Sequence, residues 1–242
     1  MRNTINILGV NFDNVTMDEA VKIGIGLFEE EGKHSVYTPN PEIVMAAYDN
    51  LELQKQLNEG SLVIPDGIGV VIGSRIIRKP LKERVAGYDF TRLLFNVLKD
   101  TEKRIFFYGS KPGVAELAAK KIRQEFIGIK IVGICDGYEQ NQEKIINSIN
   151  EANPDLVLVG LGAPRQEAWI SNNMEKVKGK VFIGVGGSFD GFSGTVKRSP
   201  DIFIKLNIEW LHRLVTQPSR IFRMLKLPQF IIKMFIEGKK YK

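Results

Sequence analysis

The chain has 242 residues, 43% of them hydrophobic and 26% charged, which is enough apolar material for a real core and excludes disorder as the main state. One cysteine, Cys135, excludes an intrachain disulfide framework and any multi-cysteine metal site, and the two histidines, His34 and His212, exclude a His-rich one. The net charge of +6 is unevenly placed: residues 195–242 carry 11 Lys/Arg against 3 Asp/Glu, whereas residues 1–194 carry 23 against 25.

The opening MRNTINILGVNFDN mixes polar with apolar residues and lacks a signal-peptide core. No stretch approaches the ~18–20 consecutive apolar residues of a membrane span. Beyond it, short runs rich in β-branched residues predict strands at Ser35–Thr38, Leu62–Ile64, Arg104–Tyr108, Lys130–Ile134, Asp155–Gly160 and Val181–Val185. Amphipathic stretches between and after them predict helices at Glu42–Leu57, Gly67–Ile77, Phe90–Lys99, Gly113–Phe126, Gln142–Ala152 and Arg165–Glu175. Pro41, Pro112 and Pro164 stand at helix starts, where a missing N–H does no harm, and Asn153-Pro154 closes a helix. Strands alternating with helices of this length imply parallel pairing, hence an α/β fold with a parallel sheet flanked by helices. Two domains are expected: an α/β body over 1–194 and a basic helical appendage over 195–242.

Ligands of such folds sit outside the carboxyl ends of the strands, so the post-strand loops are the places to search. GSKPG (109–113) opens a helix, and Gly109, Ser110 and a helix N-terminus suit a phosphate; an ordinary strand-to-helix turn explains the same residues. GLGAPRQ, with Gly162, and GVGGSF, with Gly186, resemble dinucleotide loops but lack the final glycine. Asp66 ends a strand on a tight turn, where a carboxylate suits a general base, although Asp-Gly is also a common turn and Asp a good helix cap. Thr38 and Asn40 sit at the preceding strand's end, and the two prolines around Asn40 fix the backbone and aim its amide, yet Asn40 serves equally well as a cap for the next helix. Arg84 suits a diphosphate through paired hydrogen bonds, or is a solvated loop charge. Gln166 and Glu167 open a helix, and their ordinary role is to face water. The acidic Asp-x-Asp pair that holds a divalent metal in many sugar-nucleotide enzymes is missing, and so is a GxSxG nucleophile elbow.

From Phe203 the chain reads as helical pieces divided by Pro218 and Pro228, with Arg213, Arg220 and Arg223 spaced by seven and three. Phe222, Phe230, Ile231, Ile232, Phe235 and Ile236 add more apolar bulk than a solvated tail tolerates. Three readings compete: a membrane-surface helix, a helix docked on the body, and an RNA-binding arm. Basic residues contribute ~1 kcal/mol each against anionic lipid and a buried Leu, Ile or Phe roughly 1.5–3 kcal/mol, so membrane adhesion is preferred, docking second. Nucleic acid comes last, for want of stacking aromatics or a known module.

Several segments together resemble one family: TPNPEIV (38–44), PDGIGVV (65–71), RVAGYD (84–89), FFYGSKPGVAE (106–116), GYEQ (137–140), DLVLVGLGAPRQEAWI (155–170), FIGVGGSFDGFSGTVKRSP (182–200) and IEWLHRL…PSRIFR (208–223). In them the chain resembles the bacterial WecG/TagA/CpsF glycosyltransferases from its start to about Arg223. The resemblance is to the teichoic-acid branch, whose members move N-acetylmannosamine from its UDP-sugar to GlcNAc-diphosphoundecaprenol. It implies an inverting transferase with a Rossmann-like body that needs no metal and no cofactor. It also implies roles: Asp66 as catalytic base, Thr38 and Asn40 positioning sugar or acceptor, Arg84 near the diphosphate, and Gln166 at the pocket. Gly109, Ser110, Tyr138, Gly162, Gly186 and Asp190 would hold UDP, while Arg213, Arg220 and Arg223 would grip the lipid diphosphate. The expected partners are a UDP-sugar donor, a polyprenyl-diphosphate-linked GlcNAc acceptor and an anionic membrane surface, at the cytoplasmic face of the cell membrane, with no nucleic acid. Homo-oligomerisation stays open. A sister transferase for another UDP-sugar, such as N-acetylmannosaminuronate, and a nucleotide-binding peripheral membrane protein without turnover are the alternatives.

Overall fold

A computed structural model describes residues 2–216 and 225–241. A hairpin of β1 (Thr4–Ile7) and β2 (Val10–Asp13) leads to helix α1 (Met17–Gly26). Neither the hairpin nor α1 was expected from the strand and helix periodicity, because both strands are only four residues long. The start of α1 does carry a sequence signal. Thr16 accepts from the Glu19 N–H and Glu19 reaches back to the Thr16 N–H, a reciprocal cap at three-residue spacing. Buried Asp13 ties the hairpin to the rest of the chain, pairing with Arg2 and accepting from the Val63 N–H at 2.8 Å.

The six predicted strands all form: β3 (His34–Tyr37), β4 (Leu62–Val63), β5 (Arg104–Gly109), β6 (Lys130–Cys135), β7 (Leu156–Gly160) and β8 (Val181–Gly184). They build one sheet in the order β4-β3-β8-β7-β5-β6, every pairing parallel. Side chains alternate across it, so each strand feeds two cores. Ile105 and Phe107 of β5 with Leu156 and Leu158 of β7 face one core; Phe106, Tyr108, Val157 and Val159 face the other. The first core is covered by α1, α5 (Gly87–Leu98), α6 (Val114–Glu125) and α9 (Ser188–Ser193), the second by α3 (Leu51–Asn58), α7 (Gln142–Ala152), α8 (Arg165–Asn173) and the hairpin. The expected α/β class with a parallel sheet flanked by helices holds.

Two helix expectations need correction. The stretch Glu42–Leu57 is not one helix but two, α2 (Pro41–Tyr48) and α3, because the Asn50 side chain accepts from the N–H groups of Glu52 and Leu53 and starts a new helix. The second correction concerns the basic tail. After α10 (Asp201–Lys205) and α11 (Glu209–Thr216), helix α12 (Lys226–Glu237) lies against α2 and α4 (Ile68–Ile76). Its Phe230 and Met234 are buried in the same core as Tyr37, Val44 and Val70. Gly73 of α4 permits that approach, since a Cβ there would stand 2.9 Å from the Phe230 ring. Tyr48 donates to Glu237 at 2.6 Å, and the Lys233 ammonium sits 3.6 Å from the Tyr48 ring centre. This part of the tail is docked on the body, the reading placed second from the sequence. Its outer face still shows Ile232, Phe235 and Ile236, 59–71% exposed.

Candidate active site

The carboxyl edge of the sheet collects nearly all the residues singled out from the sequence. In sheet order, β4 leads into Asp66, β3 into Thr38 and Asn40, β8 into Gly186 and Asp190, β7 into Gly162 and Gln166, β5 into Gly109 and Ser110, and β6 into Tyr138. β5 turns outward to β6 whereas β7 turns back to β8, so the strand order reverses between them, the place where α/β sheets open a crevice.

Main-chain bonds stitch together the loops at the β3–β4 end. The Asp66 N–H donates to the Pro39 carbonyl at 3.2 Å and the Val85 N–H to the Pro65 carbonyl at 3.0 Å, which brings the Thr38–Asn40, Asp66 and Arg84 segments side by side. Gly87 completes the join: a Cβ there would meet the Thr38 side chain at 2.9 Å. Asn40 does cap α2, its oxygen accepting from the Ile43 N–H at 3.0 Å. Asp66 does not cap α4, whose N-cap is Gly67 at φ +98° with no side-chain bond. Few residues but glycine take up that backbone, so the chain can turn sharply right after the carboxylate. Asp66 keeps a half-buried side chain with one oxygen 4.0 Å from the Arg84 guanidinium. Arg84 in turn forms an ion pair with Glu209 of α11 and reaches Asn207 at 3.4 Å.

Gln166 and Glu167 do not face water. They are 3% and 1% exposed, because α8 starts by turning its first residues under the β8 loop. The Gln166 oxygen accepts from the Gly186 N–H at 2.9 Å and its amide nitrogen donates to Glu167 at 2.9 Å, which fixes the shape of the Gly186 turn. Burial pushes the Glu167 carboxyl above its ordinary range, and its second oxygen has no partner among the described residues. At the β5–β7 reversal the Ser110 N–H donates to the Gly160 carbonyl and the Gly137 N–H to the Ser110 carbonyl, both at 2.9 Å. Gly109, at φ +126°, lies so close to Gly160 that a Cβ would overlap its carbonyl at 2.5 Å. Tyr138 stands over this end, 63% exposed. Burial and the neighbouring Asp136 push the Cys135 thiol up to about 11 at the end of β6, which keeps it out of nucleophilic chemistry at neutral pH. Among the described residues no cluster of three or more His, Cys, Asp or Glu side chains could hold a metal.

Arg213 lies on α11, while Arg220 and Arg223 lie outside the described residues. Glu209 carries no signal of its own in the chain, because a lone Glu at a helix start reads as a favourable charge on the helix dipole.

β4 and β5 are four strand positions apart, about 19 Å at ~4.8 Å per strand. No single phosphate touches both ends; the edge suits one elongated ligand or two ligands together.

The chain matches the family described as "Glycosyl transferase WecG/TagA/CpsF family" over residues 5–242, further than the motifs had reached. It is 43% identical over 207 residues to a protein of Bacillus subtilis, covering 86% of this chain and 81% of that one. A Bacillus spizizenii protein is 41% identical over 196 residues, 81% of this chain and 76% of its own length. A Staphylococcus aureus protein is 32% identical over 240 residues, 98% of this chain and 94% of its own. All three carry the name N-acetylglucosaminyldiphosphoundecaprenol N-acetyl-beta-D-mannosaminyltransferase.

Proposed function

This chain belongs to the WecG/TagA/CpsF family and is a glycosyltransferase, and from that premise we propose that it moves N-acetylmannosamine from UDP-N-acetylmannosamine to N-acetylglucosaminyl-diphosphoundecaprenol. The β-1,4-linked disaccharide lipid would serve wall teichoic acid linkage-unit synthesis. The observation that carries the reading is Asp66: a half-buried carboxylate at a strand's carboxyl end, not used to cap α4, with Thr38, Asn40 and a guanidinium around it. In this mechanism Asp66 takes the proton from the acceptor hydroxyl as the oxygen attacks the anomeric carbon from the face opposite UDP. The bond to the leaving diphosphate breaks, and the sugar is inverted. Thr38 and the Asn40 amide orient sugar or acceptor. Arg84 neutralises charge that develops on the diphosphate, an interaction strongest in the transition state. The loops carrying Gly109, Ser110, Tyr138, Gly162, Gly186 and Asp190 hold the nucleotide, and the span of the edge gives room for donor and acceptor together. Arg213, Arg220 and Arg223 grip the lipid diphosphate. No metal is needed, on the ground that the Asp-x-Asp pair is missing.

The membrane reading belongs to the same proposal. A polyprenyl carrier stays in the bilayer, so the catalyst must come to it. The basic residues of 195–242 and the exposed Ile232, Phe235 and Ile236, three and four apart and therefore on one face of α12, support peripheral contact. Among the described residues no helix is long and apolar enough to cross a membrane.

The test is to incubate the protein with a panel of UDP-sugars and a short-chain GlcNAc-diphospholipid and weigh the product. A disaccharide from UDP-N-acetylmannosamine is expected, unchanged by chelator. Asp66→Asn should lower kcat at least 10³-fold, on the order of 4 kcal/mol, with the Kd for UDP within about threefold. Product from another UDP-sugar alone identifies a sister transferase, and UDP binding without turnover identifies the binding protein.

A further inference from the structure

Among the described residues, the C-terminal segment meets the site through a charged contact. Glu209, the first residue of α11, pairs with Arg84 from the body, and both are largely withdrawn from water, their side chains 12% and 15% exposed. The same guanidinium nitrogen stands 4.0 Å from Asp66. Arg84 Nε is buried without a partner among the described residues, so the guanidinium rests on Glu209 and Asn207 and on its approach to Asp66. Here Glu209 takes the hydrogen bond and Arg84 stays at arm's length from Asp66.

We infer that Glu209 is a positioning residue of the transfer reaction: from the C-terminal segment it holds the Arg84 guanidinium in place beside Asp66. This rests on the reading of Asp66 as the base. Arg84 then keeps its place for charge arising on the leaving group. Because Glu209 and Arg84 come from opposite sides of the 194/195 boundary, the site is complete only when α11 is seated. The segment has other fastenings. Arg198 bonds both oxygens of Asp89 at 2.5 and 2.8 Å and lies over the Tyr88 ring, and Ser199 contacts His212 at 3.0 Å. They make it possible to separate loosening of the segment from loss of Glu209's charge.

The experiment uses the full chain with Glu209→Gln, Glu209→Asp and Arg198→Gln, the last of which weakens the segment's attachment without touching Arg84. Turnover is followed with the donor and short-chain acceptor above, and seating by hydrogen exchange over residues 201–216. Glu209→Gln is expected to lose at least tenfold in kcat with KM for the donor within threefold. Glu209→Asp should recover part of the loss, and Arg198→Gln should keep kcat within threefold even where exchange rises. A Glu209→Gln enzyme within twofold of the parent kcat overturns the inference. So does an equal kcat loss in Arg198→Gln at equal exchange, which would leave only a docking role. If the parent chain turns over no UDP-sugar, the proposed function fails and this inference falls with it, whereas a parent that turns over beside an unimpaired Glu209→Gln overturns the inference alone.

Discussion

Glu167 is a residue whose chemistry runs against its stability. With the carboxyl buried and one oxygen unpartnered among the described residues, the charged form is disfavoured and its proton is held above the range of an ordinary glutamate. The sign follows: stability present below the unfolded value of about 4.3 is lost as pH rises toward the higher native value, because the folded chain must either keep a proton or bury a charge. Glu167→Gln keeps an oxygen to accept from Gln166 and removes the ionisation. Its Tm should exceed the parent's by a few degrees at pH 8 and by less at pH 4.5, read by scanning calorimetry; equal gains at both values would contradict a titrating carboxyl. Cys135 makes a second residue-scale prediction. A thiol held near 11 has about a hundredfold less thiolate than an ordinary one at pH 8, so iodoacetamide should label it correspondingly slowly until the chain is unfolded.

Among the elements, α12 has the clearest energetic consequence. Phe230 is wholly buried between α12 and α4, and Phe230→Ala should cost about 3–5 kcal/mol, measured by denaturant unfolding. Gly73→Ala should also destabilise. The ~1 kcal/mol that alanine gains in helix propensity is smaller than the roughly 1–3 kcal/mol expected for forcing a methyl group against a packed ring. Elements differ in how legible they are from the chain. β5, β7 and β8 are short runs of buried Val, Ile, Leu and Phe bounded by turns, and they stand where the pattern put them. The β1–β2 hairpin is too short for its alternation to register. The break at Asn50 hides inside a continuous amphipathic pattern, because a capping side chain outweighs periodicity only locally. The candidate site was legible in the same uneven way: Asp66 stood out as a candidate base on its post-strand turn and Gln166 only through the family resemblance, while the burial of Glu167 and the pairing of Glu209 depend on packing between distant segments.

At the scale of the whole molecule, the tail divides its apolar residues between two surroundings. Phe230 and Met234 hold α12 to the body, while Ile232, Phe235 and Ile236 look outward. Replacing the outer three by Ser should weaken sedimentation with anionic vesicles several-fold and leave Tm within a few degrees, whereas deleting residues 226–242 should lower Tm sharply by uncovering the face of α2 and α4. High salt should release the parent chain partly, since only the basic share of the attraction is screened. The seat of α12 also has a bearing on how such a protein can change over time. α2 begins just after Asn40 and α4 just after Asp66, so the helix proposed to meet the lipid leans on the two helices whose first turns lie beside the proposed reacting groups. On the proposed function, adhesion and chemistry share common timber: a lineage that retuned its grip on a different bilayer would have to repack the floor beneath its own reaction, and substitutions in α12, α2 and α4 should be found travelling together.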